Sequence, residues 1–247
     1  MERMPPRPAT NQAKKKPNWV CNWHFEKAAR LTGAQHIAGV DEVGRGPLFG
    51  PVVAAAVILP QNARFRGLTD SKKLTEPERE AFDKQIRSVA ITWAVAEVDA
   101  ATIDEINILQ ASRLAMRLAV ERLAQTPCHL LIDGNFRIEW HCPQTTIVQG
   151  DARSLSIAAA SVLAKVHRDR LLHQFDEQFP GYGLAQNKGY PSPHHRKALL
   201  ELGPTQLHRR SFRGVLQPEL IQEELDFLEN LDDQYIPVSE DYSSIFE

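Results

Sequence analysis

Residues 52–59, VVAAAVIL, restrict the fold more than any other part of the chain. Eight apolar residues follow one another, four of them β-branched, with Pro51 before them and Pro60 after. A membrane helix needs about 20 such residues, and the flanking prolines stop the run from extending as a helix. A buried strand is what remains. Such a strand needs other elements of the chain to pack around it.

The surrounding pattern supplies them. HIAGVDEV (36–43) reads as a strand joined to 52–59 through a glycine-rich turn, and ITWAVAEV (91–98) as a third strand. EPEREAFDKQIRSV (76–89) is a helix with Pro77 in its first turn, where proline is tolerated. NILQASRLAMRLAVERLA (107–124) places Ile108, Leu114, Leu118 and Leu123 at helical spacing. HLLID (129–133) and TTIVQ (145–149) read as further strands, and residues 154–179 as the longest helix, with Ala158, Ala159 and Ala160 fitted to close contact with a sheet. The fold class is therefore α/β, a mixed β-sheet flanked by helices. The division expected is a disordered basic arm over 1–18, a catalytic domain over 19–215 and an acidic C-terminal helix and tail over 216–247.

The net charge of −2 hides an uneven distribution. Residues 216–247 carry 10 of the 31 acidic residues and none of the 29 basic ones, which leaves 1–215 with 29 basic against 21 acidic. A basic body suits an anionic polymer. The N-terminal residues lack the apolar core of a signal peptide. Cys21, Cys128 and Cys142 are odd in number and lack metal-ligand spacing, which fits a reducing compartment. The chain is expected to be a cytoplasmic monomer with no membrane association.

Four carboxylates occupy places where apolar strands end. Asp41 and Glu42 precede Gly44, Arg45 and Gly46; Asp133 follows HLLI; Asp151 follows TTIVQG. Singly, each is accounted for as a strand-end or helix-cap carboxylate. Together they indicate a site, because ligands of open α/β sheets gather beyond the carboxyl ends of strands. Adjacent residues of a flat strand face opposite ways, so Glu42 joins Asp41 if the strand ends at Glu42 and the chain swings at Gly44. Clustered carboxylates suit Mg²⁺ or Mn²⁺, hard ions that take oxygen ligands, and such ions promote in-line displacement at phosphorus.

The stretches GVDEVGRGPLFGPVVAAAVIL, LTDSKKL, LLIDGN, GDARSLSIAAASVLAKVHRDR, NKGYPSPHH and GPTQLHRRSF occur in this order between about His36 and Phe212. In them the chain resembles the bacterial ribonuclease HII family. The resemblance implies a ribonuclease H-like fold and an endonuclease that hydrolyses the RNA strand of RNA/DNA hybrids. It also implies nicking 5′ of ribonucleotides embedded in duplex DNA, leaving 3′-hydroxyl and 5′-phosphate ends, with a part in ribonucleotide excision repair and DNA replication. Asp41, Glu42, Asp133 and Asp151 take the places of the catalytic, metal-binding acids. Gly44, Arg45 and Gly46 match the substrate-reading Gly-Arg-Gly segment, and Tyr190 the substrate-reading tyrosine. Glycines let backbone approach the 2′-hydroxyl that marks RNA.

Lys72 and Lys73, with Arg45, Arg153, Lys188 and also Arg168, are plausible phosphate contacts that position a duplex without reading it. His195, His208 and Arg209 fit structural or peripheral roles. QEELDFL (222–228) reads first as part of an amphipathic terminal helix packed on the body, and it is also similar to glutamine-led peptides that dock on a sliding clamp. Two other functions share the fold: a hybrid-binding protein without turnover, and a relative with another substrate, such as ribonuclease HIII. The intact acids disfavour the first. The Gly-Arg-Gly segment, and only 35 residues before His36, disfavour the second.

Overall fold

The computed structural model describes residues 20–216. The basic arm expected at 1–18, the tail expected at 216–247 apart from Leu216, and the 222–228 segment lie outside the described residues. In chain order the elements are α1 (His24–Leu31), β1 (Ile37–Val43), β2 (Val52–Ile58), α2 (Glu76–Val89), β3 (Thr92–Val98), α3 (Ala100–Glu121), β4 (His129–Asp133), β5 (Gln144–Ile147), α4 (Leu155–Gln178), α5 (Leu184–Asn187) and α6 (Pro193–Leu202). Short 3₁₀ turns at Ser71–Lys73 and Gly150–Ala152 complete the set.

The strands form one sheet in the order β3-β2-β1-β4-β5. β2 is antiparallel to β1 and β3, whereas β4 is parallel to β1 and β5 to β4. The sheet is mixed, as the sequence predicts. Every residue of β2 is buried. Val52, Ala54, Ala56 and Ile58 pack with Ala111, Ala115, Met116 and Ala119 of α3. Val53, Ala55 and Val57 pack with Ala158, Ala159, Val162 and Leu163 of α4. Alternate residues of one strand thus feed two cores, which is why its apolar run is unbroken.

α4 lies unusually close to β1. A Cβ at Gly39 would stand 2.1 Å from the carbonyl carbon of Ser156, so glycine there is required by approach. The start of α4 is held by the buried Glu26 of α1, whose Oε1 accepts from Ser154 Oγ at 2.7 Å and Ser156 N at 2.9 Å. That carboxylate also complements the positive end of the helix.

Several elements differ from the sequence-based expectation. The helix predicted over 107–124 is the second part of α3. Asn107 leaves the helical region at φ 67°, and its carboxamide oxygen accepts from Leu109 N and Gln110 N. The turns before it, from Ala100 and capped by Asp99, carry too short an apolar pattern to read in advance. β5 stops at Ile147, because Gln149 adopts a left-handed φ of 56°. α1, α5 and α6 are short, and sequence periodicity did not find them. α5 and α6 owe their place to a separate core in which Leu48 and Phe49 meet Leu172, Tyr182, Leu184 and Leu199.

Candidate active site

Parallel pairing of β1 with β4 places Val40 opposite Ile132, so Asp41 and Asp133 are the next residues along neighbouring strands. β4 pairs Asp133 with Ile147 of β5, and the 3₁₀ turn that follows β5 carries Asp151. Gly150 N donates to Asp133 Oδ1 at 2.6 Å, tying that turn to the end of β4. The position is closely packed: a Cβ would meet Ile157 Cδ1 at 2.6 Å, Asp133 Oδ1 at 3.2 Å and Ile147 Cβ at 3.3 Å. The structure therefore brings Asp41, Asp133 and Asp151 together at the carboxyl edge of the parallel strands.

Glu42 differs from its expected arrangement. β1 continues through Val43, and only then does the chain turn, at Gly44 with φ 90°. By strand alternation Asp41 shares the α4 face with Gly39, while Glu42 shares the α3 face with Val40. Glu42 Oε1 accepts from Arg45 Nη1 at 3.3 Å. Its Oε2 is buried without a hydrogen-bond partner.

Electrostatics bind the four acids into one group. Burial raises the Asp41 carboxyl well above the usual range, and the charges of Asp133, Glu42 and Asp151 raise it further. A hydrogen bond from Ser161 opposes this; Ser161 Oγ also lies 2.9 Å from Ser71 Oγ. Burial raises Glu42, against the pull of Arg45. Burial raises Asp133 too, against backbone N–H donation from Gly150 and Asp151. Asp151 is pushed up to about 6 by burial, Asp133 and Asp70, with Lys72 opposing. Lys72 Nζ is 3.7 Å from Asp151 Oδ2, but its side chain is 79% exposed, so solvent screens most of that attraction. Asp70 is a site residue that sequence reasoning missed. Its place two residues before Lys72 in LTDSKKL was the available signal, and its carboxylate caps the Ser71–Lys73 turn by accepting from Lys72 N.

Among the described residues no three His, Cys, Asp or Glu side chains converge closely enough to cage an ion by themselves. The donor set nevertheless fits a divalent cation. It consists of carboxylate oxygens, one of them a buried acceptor without a donor, and its acids resist ionisation because of burial and one another. An ion that retains water and phosphate oxygens does not need a closed protein cage.

The 44–50 segment is held rigidly beside the acids. Arg209, fully buried, donates to the carbonyls of Gly44 at 2.6 Å, Arg45 at 3.0 Å and Gly50 at 3.0 Å. Arg168, expected among the phosphate contacts, is instead buried and donates to the carbonyls of Phe49, Pro51 and Lys188. A guanidinium whose fork is spent on buried carbonyls cannot reach a phosphate. A Cβ at Gly44 would meet Arg168 Nε at 2.4 Å, so the fold itself demands that glycine. Gly46 is different: its nearest neighbour would be Tyr190 Cε1 at 3.4 Å, an ordinary contact. Nothing in the fold therefore requires glycine at position 46.

Tyr190 is 46% exposed and faces Gly46. Its loop is fixed by Leu48 N donating to Gly189 O at 2.8 Å. Below it His195 Nδ1 lies 2.9 Å from Tyr190 O, and His195 Nε2 lies 3.1 Å from His208 Nε2. Both imidazoles are buried, and burial lowers both, His208 to about 3. They support the tyrosine loop from the core. Of the other basic residues, Lys73 is exposed, Lys188 Nζ lies 3.0 Å from His173 Nε2, and Arg153 donates to Val148 O and stacks over Phe25.

Sheet order and acid placement define an α/β nuclease of the ribonuclease H-like fold. Solved structures agree: a ribonuclease H2 from Pyrococcus horikoshii OT3 superposes with TM-score 0.63 at 25% identity, over 78% of this chain and 99% of that one. The RNase HII of a PCNA:RNase HII complex from Archaeoglobus fulgidus gives 0.62 at 26% identity, over 72% and 96%. A family model described as Ribonuclease HII matches residues 38–215. A ribonuclease HII from Koribacter versatilis (strain Ellin345) is 53% identical over 218 residues, 88% of this chain and 85% of the relative. One from Bacillus subtilis (strain 168) is 48% identical over 200 residues, 81% and 78%. The chain belongs to the ribonuclease HII family of endoribonucleases.

Proposed function

We propose that residues 19–215 form the catalytic domain of a divalent-metal-dependent endoribonuclease that hydrolyses the RNA strand of hybrids and nicks 5′ of ribonucleotides in duplex DNA. The observation that carries this reading is the convergence of Asp41, Asp133 and Asp151 at one strand edge, with the buried, unpartnered Glu42 Oε2 beside them. Mg²⁺ or Mn²⁺ would be held by Asp41, Glu42, Asp133 and Asp151. When bound, such an ion supplies Lewis acidity toward the attacking water and the phosphodiester. Displacement of O3′ at phosphorus leaves a 3′-hydroxyl and a 5′-phosphate.

The protein's own groups bind and orient. The backbone at Gly44, Arg45 and Gly46, made rigid by Arg209, is suited to reading the 2′-hydroxyl by hydrogen bonds. Tyr190 packs against the sugar next to it. Lys72, Lys73, Arg153 and Lys188 contact phosphates and hold the duplex in register. Residues 222–228 form a clamp-docking peptide, a reading supported by the PCNA complex of the Archaeoglobus relative.

The test is an end-labelled DNA duplex with one ribonucleotide, incubated with protein and Mg²⁺, Mn²⁺ or EDTA beside an all-DNA duplex. A metal-dependent nick immediately 5′ of the ribonucleotide is expected. Tight binding without a cut, or cleavage of the all-DNA duplex, refutes the reading.

A further inference from the structure

We infer that an arginine-lined groove between α3 and the loop after β4 is a second binding site for nucleic-acid phosphates, engaging the duplex away from the scissile bond. The groove has a volume of about 590 Å³ and is lined by Gln110, Arg113, Leu114, Arg117, Arg137 and Ile138, among others. It lies on the α3 side of the sheet, whereas Asp41 and Asp133 face α4.

Position is the first argument. The loop that carries Arg137 leaves the sheet directly after Asp133 and Gly134, at the edge where the acids gather. Phe136 joins the two places: the Arg45 guanidinium lies 5.7 Å from its ring centre, and the Arg113 guanidinium 5.5 Å. Phe136 therefore links the Gly-Arg-Gly segment to the groove, with one guanidinium near its ring from each.

The state of the arginines is the second. Arg113 makes no ion pair among the described residues, and its buried Nε has no hydrogen-bond partner, so no carboxylate offsets its charge. Arg137 is exposed and makes no ion pair or hydrogen bond among the described residues. Arg117 is partly neutralised by Glu121 at 2.6 Å, and Glu139 also lines the groove, so Arg113 and Arg137 carry the excess positive charge. Planar, always-charged forks lining an open groove suit phosphate oxygens.

This inference rests on the nuclease reading, and the experiment separates the two. Duplexes carrying one ribonucleotide are prepared with long flanks on both sides or with either flank truncated. Kd is measured for the full chain and for its Arg113→Gln/Arg137→Gln variant over a range of salt concentrations, with nicking of the long duplex by the unaltered protein as the control. Failure of that control condemns the nuclease reading and not the groove. With the control intact, the variant is expected to bind the long duplex about tenfold more weakly. Its slope of log K against log salt should be shallower by about 2, one per lost phosphate contact. The difference should vanish on the duplex lacking the flank that reaches the groove. Arg137→Gln alone, at an exposed position, should give about half the change in slope, which guards against misfolding of the double variant. Equal Kd and slope for variant and unaltered protein on the long duplex overturns the inference, as does a loss of the same size on all three duplexes.

Discussion

Gly39→Ala tests how tightly the fold sets the site. The added Cβ would lie 2.1 Å from Ser156 C, 2.3 Å from Ser156 O and 2.5 Å from Ile157 N, against about 3.4 Å for an ordinary contact. All three are backbone atoms of the first turn of α4, so no side chain can swing away. Either α4 retreats from β1 by about 1.3 Å or the strand bulges. A gap of about 0.5–1 Å already forfeits between a quarter and a half of the dispersion contact, so a retreat of about 1.3 Å loses more than half of it along the interface. Overpacking of this kind costs about 1–3 kcal/mol, occasionally more, and the helical backbone here puts the expectation at about 3 kcal/mol. Ser154 and Asp151 lie just before this turn, so Asp151 is drawn away from Asp41 and Asp133 as well. The assay is urea unfolding of both proteins with equal m-values, followed by nicking under conditions where both are folded. A lower midpoint and a fall in activity larger than the unfolded fraction explains are expected. A Gly39→Ala protein within about 0.5 kcal/mol of the parent would refute the close-approach argument. Gly46→Ala is the contrast, because its Cβ meets only an ordinary contact, and its stability should stay within that margin.

Asp41→Asn should abolish nicking yet raise the melting temperature in metal-free buffer, since it removes a carboxyl whose ionised form is disfavoured by burial and by three neighbouring acids; retained turnover in saturating Mg²⁺ would overturn the assignment. Arg209→Gln should destabilise the fold by about 3 kcal/mol or more, because carbonyls of Gly44, Arg45 and Gly50 lose charge-assisted donors, read as a fall in urea midpoint. His208, neutral in the folded protein with its pKa at about 3, contributes stability that is complete above the unfolded value near 6.5 and lost as pH falls from there toward 3. Between pH 6.5 and 5 this amounts to about 2 kcal/mol, so His208→Gln should lose that much less over the interval; parallel pH profiles would contradict it. Tyr190→Ala should weaken the preference for a lone ribonucleotide more than affinity for duplex, as compared by kcat/KM and Kd on the two substrates.

Much of this molecule was determined by the sequence alone. The unbroken apolar run at 52–59 dictates a buried strand. The small residues at 158–160 dictate a helix close against the sheet. The four acids at strand ends mark a site, because period-2 burial and strand-end placement are local properties of the chain. Tertiary structure decided the rest. That Asp41 and Asp133 are neighbours follows from the parallel register of β1 with β4, which depends on residues 92 apart. That Glu42 lies on the other face depends on β1 keeping its pairing with β2 through Val43, so that the chain turns only at Gly44. The roles of Arg168 and Arg209 could not be read in advance, since an arginine in a basic motif looks the same whether its fork meets phosphate or buried carbonyls. Only packing distinguishes them: both are enclosed by the 44–51 segment, where desolvation favours fixed backbone partners over a mobile ligand.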